Sequence, residues 1–121
     1  MIRKNANIIS TINGDTLQAS IVGEIDHHGA FSLRDELDDI FLATRPKAIE
    51  LDLSAVDFMD SSGLGVIMGR KTTADKIHAE FKLLNPTSRV ARIIELAGLS
   101  KVVSVEYREP KKGNDNENKL Y

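Results

Sequence analysis

Short strand-like runs alternate with helix-like runs along most of this chain, and this alternation constrains the fold more than any other feature. The sequence opens with two apolar-rich runs, 7–12 and 16–22, separated by Asn13-Gly14-Asp15, which predicts a β-hairpin. Helix-like and strand-like runs then follow in turn. Such alternation is typical of parallel strands joined by crossover helices. We therefore predict an α/β fold with a mixed sheet of about five strands, in the order β-β-α-β-α-β-α-β.

Apolar spacing, proline and glycine set the predicted boundaries of these elements. The first helix should end before Arg45-Pro46, because the residue before a proline avoids the helical region. The second helix should span residues 62 to about 77. Thr87 or Ser88 can cap the third helix, and Gly98 suits a left-handed C-terminal cap. The predicted strands after the hairpin are 48–53, 80–84 and 102–105.

The composition excludes several classes of function. A chain of 121 residues is long enough for one domain with one core, and it contains no cysteine for disulfides or thiolate catalysis. Its net charge of −2 gives no general attraction to nucleic acid or acidic membranes. No apolar run approaches the roughly 18 residues that cross a bilayer, and the first residues form no apolar signal core. We expect a cytoplasmic protein with no direct nucleic-acid partner and no membrane partner.

The chain divides into one domain and a tail. We predict the domain over residues 1–107. Residues 108–121 are polar, with almost no apolar side chain before Leu120. Such a segment buries too little apolar surface to offset the entropy lost on ordering it. We therefore expect this tail to be disordered.

The strongest candidate for a functional site is Asp60-Ser61-Ser62-Gly63-Leu64-Gly65. It lies between a strand-like run and a helix-like run, so its serines fall at a helix N-terminus. The free N–H groups and the positive dipole end there stabilise a phosphate. A serine at this place suits a phosphorylation switch, but serine is also a common helix cap. The spacing alone leaves both interpretations open.

Two segments resemble the signatures of one protein family. Asp60-Ser61-Ser62-Gly63-Leu64-Gly65 resembles the signature of bacterial anti-sigma factor antagonists, which are small STAS domains. Gly23-Glu24-Ile25-Asp26-His27-His28 resembles the Gly-Glu-hydrophobic-Asp segment that follows the second strand of the family. The two segments stand in the family's order and at about its spacing. The resemblance covers residues 8–106, implies a single STAS domain, and is nearest to the sporulation-type antagonists.

The resemblance implies a mechanism and a set of site residues. In the family, the unphosphorylated antagonist binds an anti-sigma factor that is also an ATP-dependent serine kinase, and sigma factor is released. The kinase then phosphorylates the serine after the aspartate, which is Ser61 here. The pair separates, and a serine phosphatase restores binding. No cofactor is implied for the antagonist itself. The residues implied to contact the kinase are Asp26, Asp60, Ser62, Gly63, Leu64 and Gly65.

Structural roles compete with these functional ones. Helix capping or packing is the stronger interpretation for Ser62, and Asp26 can cap the helix that follows it. Asp60 can be a solvated loop residue, and the glycines can serve turn geometry. At the level of the whole protein, the alternative is a STAS-type scaffold or regulatory subunit of a transporter or signalling complex without sigma factor.

Catalysis and metal binding are not predicted. A nucleophilic serine needs a base that a third group orients, and the adjacent Asp26 and His27 form such a pair poorly. The chain also lacks a Gly-x-Ser-x-Gly elbow around Ser61. His27 and His28 have no third ligand at suitable spacing, so no metal site is expected. Because the phosphate-binding glycine motifs are missing, we expect a phosphate acceptor and not an ATP binder.

Overall fold

Strands and helices alternate after an initial hairpin in the computed structural model, which describes residues 6–109. The strands are β1 (Ala6–Asn13), β2 (Thr16–Ile25), β3 (Ala48–Asp52), β4 (Val56–Met59), β5 (Glu80–Leu84) and β6 (Ser104–Glu106). The helices are α1 (Ala30–Thr44), α2 (Ser62–Lys76) and α3 (Ser88–Leu96), and a short 3₁₀ helix covers Leu99–Lys101.

The hairpin predicted at the start of the chain is confirmed. β1 and β2 pair antiparallel in one continuous register, and Asn13 lies opposite Thr16 across a two-residue turn. Gly14 in that turn has a φ of +64°, which is the backbone that the first position of a type II′ turn requires. β2 extends beyond its predicted end, to Ile25.

The sheet is mixed, as the α/β prediction requires. Its strand order is β1-β2-β3-β5-β6, and β4 pairs with β2 off this path. Only the β1–β2 pair is antiparallel; the other pairings among the described residues are parallel. β2 pairs with β3 along its first half, and its register shifts after Gly23, where it pairs with β4. β4 was not among the predicted strands, because four residues with two buried side chains give little periodicity.

One face of the sheet carries the core, and the other is polar. Buried apolar side chains alternate with more exposed ones along β2 and β3, as in half-buried strands. The edge-on rings of Phe41 on α1 and Phe81 on β5 lie 6.4 Å apart between their centroids. The main residues of this core are Leu17, Ala19, Ile21, Leu37, Phe41, Ile49, Leu51, Val66, Ile67, Phe81 and Leu83.

An ion pair between a buried arginine and a partly exposed aspartate joins α1 and α2. Arg70 on α2 is only 5% exposed, and its Nε lies 2.9 Å from Oδ1 of Asp38 on α1. The hydroxyl of Thr73 donates to the same carboxylate oxygen at 2.8 Å. Burial lowers the pKa of the Arg70 guanidinium, although the charge of Asp38 opposes the shift. These contacts hold α2 against α1, since removing Asp38 would leave the buried charge of Arg70 uncompensated.

The ends of the helices follow local signals. α1 ends at Thr44, and Arg45 takes a left-handed conformation before Pro46. Thr87 caps α3 by accepting a hydrogen bond from the backbone N–H of Val90. Gly98 follows Ala97, the C-cap residue of α3, and has a φ of +74°, as the predicted left-handed cap requires.

The first two residues of the predicted tail lie within the described part of the chain. Arg108, the first residue of that segment, forms ion pairs with Glu50 on β3 and Glu106 on β6. The remainder of the tail, from residue 110 onward, lies outside the described residues. Within 6–109, none of the helices combines the length and the apolar character that crossing a bilayer demands.

Candidate functional site

The two sequence motifs meet at one edge of the sheet. β2 and β4 are parallel neighbours, and Ile25 at the end of β2 lies opposite Met59 at the end of β4. The backbone N–H of Asp60 donates to the carbonyl of Ile25 at 3.1 Å. The loops that carry Asp26 and Asp60 therefore lie side by side.

Asp60 ties the two loops together. Its Oδ1 accepts the backbone N–H of Ser62 at 2.9 Å and also the Ser62 hydroxyl. Its Oδ2 accepts the backbone N–H of His27 at 3.3 Å. The hydrogen bond from the Ser62 hydroxyl is the largest cause that lowers the pKa of the Asp60 carboxyl, and the N–H groups of Ser62 and His27 add to it. Asp60 is therefore ionised at neutral pH and fixes the start of α2.

Ser61 has no capping duty although it occupies the cap position of α2. Its backbone is helical, with φ −64° and ψ −19°, and its side chain makes no capping hydrogen bond. The residue is exposed. Asp60 satisfies the N–H of Ser62 in its place. The interpretation in which the Ser61 hydroxyl caps the helix is therefore wrong, and this hydroxyl faces solvent at a helix N-terminus.

The other residues of the motif that begins at Asp60 differ in their burial. Ser62 is partly buried and bonded to Asp60, in agreement with the structural role considered for it. Gly63 is buried, and a Cβ there would overlap the side chain of Met59. Leu64 is partly buried against the core. Gly65 is exposed, and a Cβ there would meet nothing within 4 Å.

Asp26 orders the turn that leads into α1. Its Oδ1 accepts the backbone N–H groups of His28 and Gly29, each at 3.1 Å. Its main-chain carbonyl accepts the N–H of Ala30 at 2.9 Å. The structural role considered for Asp26 from the sequence, at the start of the following helix, is therefore present. A role in partner contact stays a prediction.

The two histidines lie beside the site on its solvent side. The ring centroids of His27 and His28 are 4.2 Å apart, and Nδ1 of His27 lies 3.9 Å from Oδ2 of Asp60. Within residues 6–109, no three His, Cys, Asp or Glu side chains are grouped to hold a metal ion. The arrangement thus offers one exposed serine hydroxyl at a helix N-terminus, where the positive end of the dipole favours a phosphoryl group.

Comparison with known proteins agrees with this geometry. The family model for the STAS domain matches residues 7–111. The chain belongs to the STAS domain family. The match includes both loops of the site.

Named relatives and a solved structure resemble this STAS domain along most of its length. The anti-sigma-B factor antagonist of Bacillus subtilis is 33% identical over 101 residues, which cover 84% of this chain and 91% of that protein. The anti-sigma F factor antagonist of Paenibacillus polymyxa is 34% identical over 83 residues, or 69% and 71% of the two chains. The unphosphorylated form of the anti-sigma factor antagonist SpoIIAA has the same fold, with a TM-score of 0.73, 22% identity and coverage of 96% and 98%.

The sequence did not reveal how Asp60 works in this STAS domain. Its contact with the loop at His27 depends on the pairing of β2 with β4, and β4 was not predicted. Val56, Asp57, Phe58 and Met59 show no alternation of buried and exposed side chains, so the local sequence gives little signal for that strand. The burial of Arg70 against Asp38 was also missed, because nothing in the local sequence of a helix marks an arginine as buried.

Proposed function

We propose that this STAS domain is an anti-sigma factor antagonist that is switched off by phosphorylation of Ser61. The observation that carries the proposal is the exposed Ser61 side chain, which has no capping bond because Asp60 serves the helix start instead. A hydroxyl kept out of the hydrogen-bond network of the fold is accessible to a kinase. The names of the relatives from Bacillus subtilis and Paenibacillus polymyxa supply the regulatory context.

In the proposed cycle, the unphosphorylated domain binds an anti-sigma factor serine kinase and frees sigma factor. The Oγ atom of Ser61 then attacks the γ-phosphorus of ATP held by the kinase. A bond forms between this oxygen and phosphorus, the bond from the γ-phosphorus to the bridging oxygen breaks, and ADP leaves. The hydroxyl proton passes to a base or to solvent. A serine phosphatase later hydrolyses the phosphate ester and restores the hydroxyl.

The phosphate acts on the interface and not on the fold. It adds a charge of about −1.5 to −2 beside the ionised carboxylate of Asp60. The N-terminus of α2 tolerates that charge, since the positive end of the helix dipole favours an anion. A complementary partner surface that accepts a neutral serine rejects the bulk and charge of phosphoserine. The domain therefore stays folded while the kinase is released.

The partner surface is proposed around Ser61, and its residues contribute in two ways. Asp26 and Asp60 are partly exposed and Gly65 is exposed. A carboxylate there can pair with a basic group, and the glycine lets a partner approach α2 closely. The motif residues that lie deeper hold the loop in shape from inside the domain; these are Ser62, Gly63 and Leu64. Exposed Phe58 on β4 adds apolar area next to the loop.

We infer that it is a regulator and not an enzyme, because no hydrogen bond within residues 6–109 joins a histidine to Ser61 to activate it. We place it in the cytoplasm, where sigma factors and their kinases act.

The test is phosphorylation by the anti-sigma factor kinase with ATP, followed by mass spectrometry of the intact chain and its peptides. We expect one phosphate on wild type, one on Ser62→Ala and none on Ser61→Ala. The Ser62→Ala variant is the matched control, since it removes the neighbouring hydroxyl. Full labelling of Ser61→Ala would remove Ser61 from the proposal.

A further inference from the structure

The two outer edges of the sheet are protected very differently. β6 has three residues, and its Glu106 forms ion pairs with Lys82 and Arg108. β1 has eight residues, with the sequence Ala-Asn-Ile-Ile-Ser-Thr-Ile-Asn. It contains no charge, proline or glycine, and its pairing with β2 has no bulge. Soluble proteins normally guard a long edge with such features, because an unguarded edge is a template for another strand.

β1 also exposes apolar side chains at this edge. Ile9 is 60% exposed and Ile12 is 51% exposed. In the part of the chain that the structure describes, β1 pairs with β2 and with no other strand. An uncharged strand with open backbone groups and exposed isoleucines is suited to pairing with a second strand.

We propose that β1 pairs antiparallel with β1 of a second copy of this chain, around a two-fold axis at Ser10. The segment Asn-Ile-Ile-Ser-Thr-Ile-Asn reads nearly the same in both directions. In this register Asn7 lies opposite Asn13 of the second copy, Ile8 opposite Ile12, Ile9 opposite Thr11, and Ser10 opposite itself. Each pair joins like with like or one β-branched residue with another, and none brings equal charges together. This self-complementarity favours a second copy over an unrelated strand.

The backbone N–H and C=O groups of β1 that do not bond to β2 are those that the proposed pairing requires. Asn13 and Thr16 flank a two-residue turn, so they form a hydrogen-bonded pair of the hairpin. Hydrogen-bonded pairs recur at every second residue, so the odd-numbered residues of β1 bond to β2. The N–H and C=O groups of the even-numbered residues Ile8, Ser10 and Ile12 then point away from β2. The proposed register pairs these same residues across the two-fold axis.

The side chains at the seam suit the two faces of the sheet. Ile8 and Ile12 lie opposite Ile21 and Leu17 of β2, which places them on the core face. Two copies bring four isoleucines together there and cover the exposed Ile12. On the polar face, Ile9 lies beside Thr11 of the second copy.

The dimer leaves the phosphorylation site open. β1 and β4 both pair with β2 at Gly23, so they lie on opposite sides of that strand. The loop after β4, with Ser61, is therefore away from the seam. Each dimer presents two antagonist sites, and the pairing does not depend on the proposed function.

The first test measures the oligomeric state of the full chain by sedimentation equilibrium over a wide concentration range. We expect wild type to dimerise. Ser10→Lys places two lysines directly opposite each other and should raise the dissociation constant about tenfold or more. Asn13→Lys is the matched control: it adds the same charge to β1, but its two lysines lie about 20 Å apart, at roughly 3.4 Å per residue. Salt screens charges at that distance, so this variant should still dimerise.

The second test reads the register directly, because the chain has no cysteine of its own. Opposed residues of a hydrogen-bonded pair have Cα atoms about 5.5 Å apart, within the range a disulfide spans. Ser10→Cys should therefore form a disulfide-linked dimer under mild oxidation, and Asn13→Cys should not. Thermal melting of each variant checks that β1 still pairs with β2.

Three results would overturn the proposal. If the chain stays monomeric up to about 1 mM, the dissociation constant is far weaker than that of a specific interface, and the proposed dimer does not form. A dimer that persists unchanged in Ser10→Lys uses another surface. Equal cross-linking of Ser10→Cys and Asn13→Cys contradicts the two-fold axis at Ser10.

Discussion

The starts of α2 and α3 look alike in sequence but are built differently. Each helix has a hydroxyl residue at its cap position, Ser61 for α2 and Thr87 for α3. Thr87 has an extended backbone and accepts the N–H of Val90 at 3.4 Å. Ser61 has a helical backbone and makes no capping bond. The Thr87 hydroxyl therefore stabilises the start of α3, whereas the Ser61 hydroxyl makes no capping hydrogen bond at the start of α2.

The difference between the two helix starts comes from Asp60, one residue upstream of Ser61. Asp60 accepts the N–H and the hydroxyl of Ser62 and the N–H of His27, so the start of α2 is held from outside the helix. A carboxylate that satisfies these donors frees the next side chain for chemistry. A hydroxyl at a helix start thus becomes a candidate modification site when a neighbouring side chain caps the helix in its place.

The largest effect is expected from Gly63→Ala, which tests how closely the start of α2 packs. The added Cβ would overlap the buried side chain of Met59. Overpacking of this kind costs about 1–3 kcal/mol of unfolding free energy, and we expect the upper end. Urea unfolding measures it. Gly65→Ala is the control, because its Cβ enters open space and should stabilise the helix by about 0.5–1 kcal/mol.

Asp60→Ala should come next, with a loss of about 2 kcal/mol, the upper end of the range for a helix cap. It removes the acceptor of three hydrogen bonds in two loops. Urea unfolding again gives the value. A loss of only about 1 kcal/mol, the typical value for a single helix cap, would show that Asp60 does not hold both loops.

The contribution of Asp60 should also depend on pH. Its pKa is lower in the folded chain than in an unfolded one, so the folded state binds the proton less well. The stabilisation is therefore present at neutral pH and is lost as pH falls below about 4. The stability difference between wild type and Asp60→Ala should shrink over that acidic range, and a constant difference would contradict this role.

Thr87→Ala should have an intermediate effect. It removes one capping bond at α3 and should cost about 1 kcal/mol. Thr87→Ser keeps the acceptor oxygen and serves as the control. If Thr87→Ala lost as much unfolding free energy as Asp60→Ala, the two helix starts would be stabilised equally by one acceptor each, which contradicts the comparison.

Ser61→Ala should have the smallest effect on stability. Since its side chain makes no capping bond, the free energy of unfolding should stay within about 0.5 kcal/mol of wild type. Thermal unfolding of Ser61→Ala and Thr87→Ala under the same conditions is the direct comparison. A loss near 1 kcal/mol in Ser61→Ala, the usual contribution of a cap, would show that its hydroxyl stabilises the helix start after all.

The sequence predicted what local chemistry determines. The hairpin turn at Gly14, the end of α1 before Pro46, the cap at Thr87 and the left-handed Gly98 all follow from residues close in the chain. The alternation of elements predicted the mixed sheet, and the two motifs predicted the family.

What the sequence missed depends on contacts between distant segments. β4 forms because β2 extends past β3 and offers it an edge. The role of Gly63 depends on where Met59 lies once β4 is paired. The burial of Arg70 depends on α1, which brings Asp38 to it. None of these partners can be inferred from spacing within one element.

Asp60 belongs to both loops, and this has a consequence for how the protein tolerates change. Its carboxylate bonds to Ser62 in its own loop and to His27 in the other. Residues that share one hydrogen-bond network do not contribute independently to free energy. Substitutions in the two loops should therefore show epistasis, and a replacement in the loop of His27 that is harmless beside Asp60 should become costly once Asp60 is changed. The two motifs would then evolve as one unit.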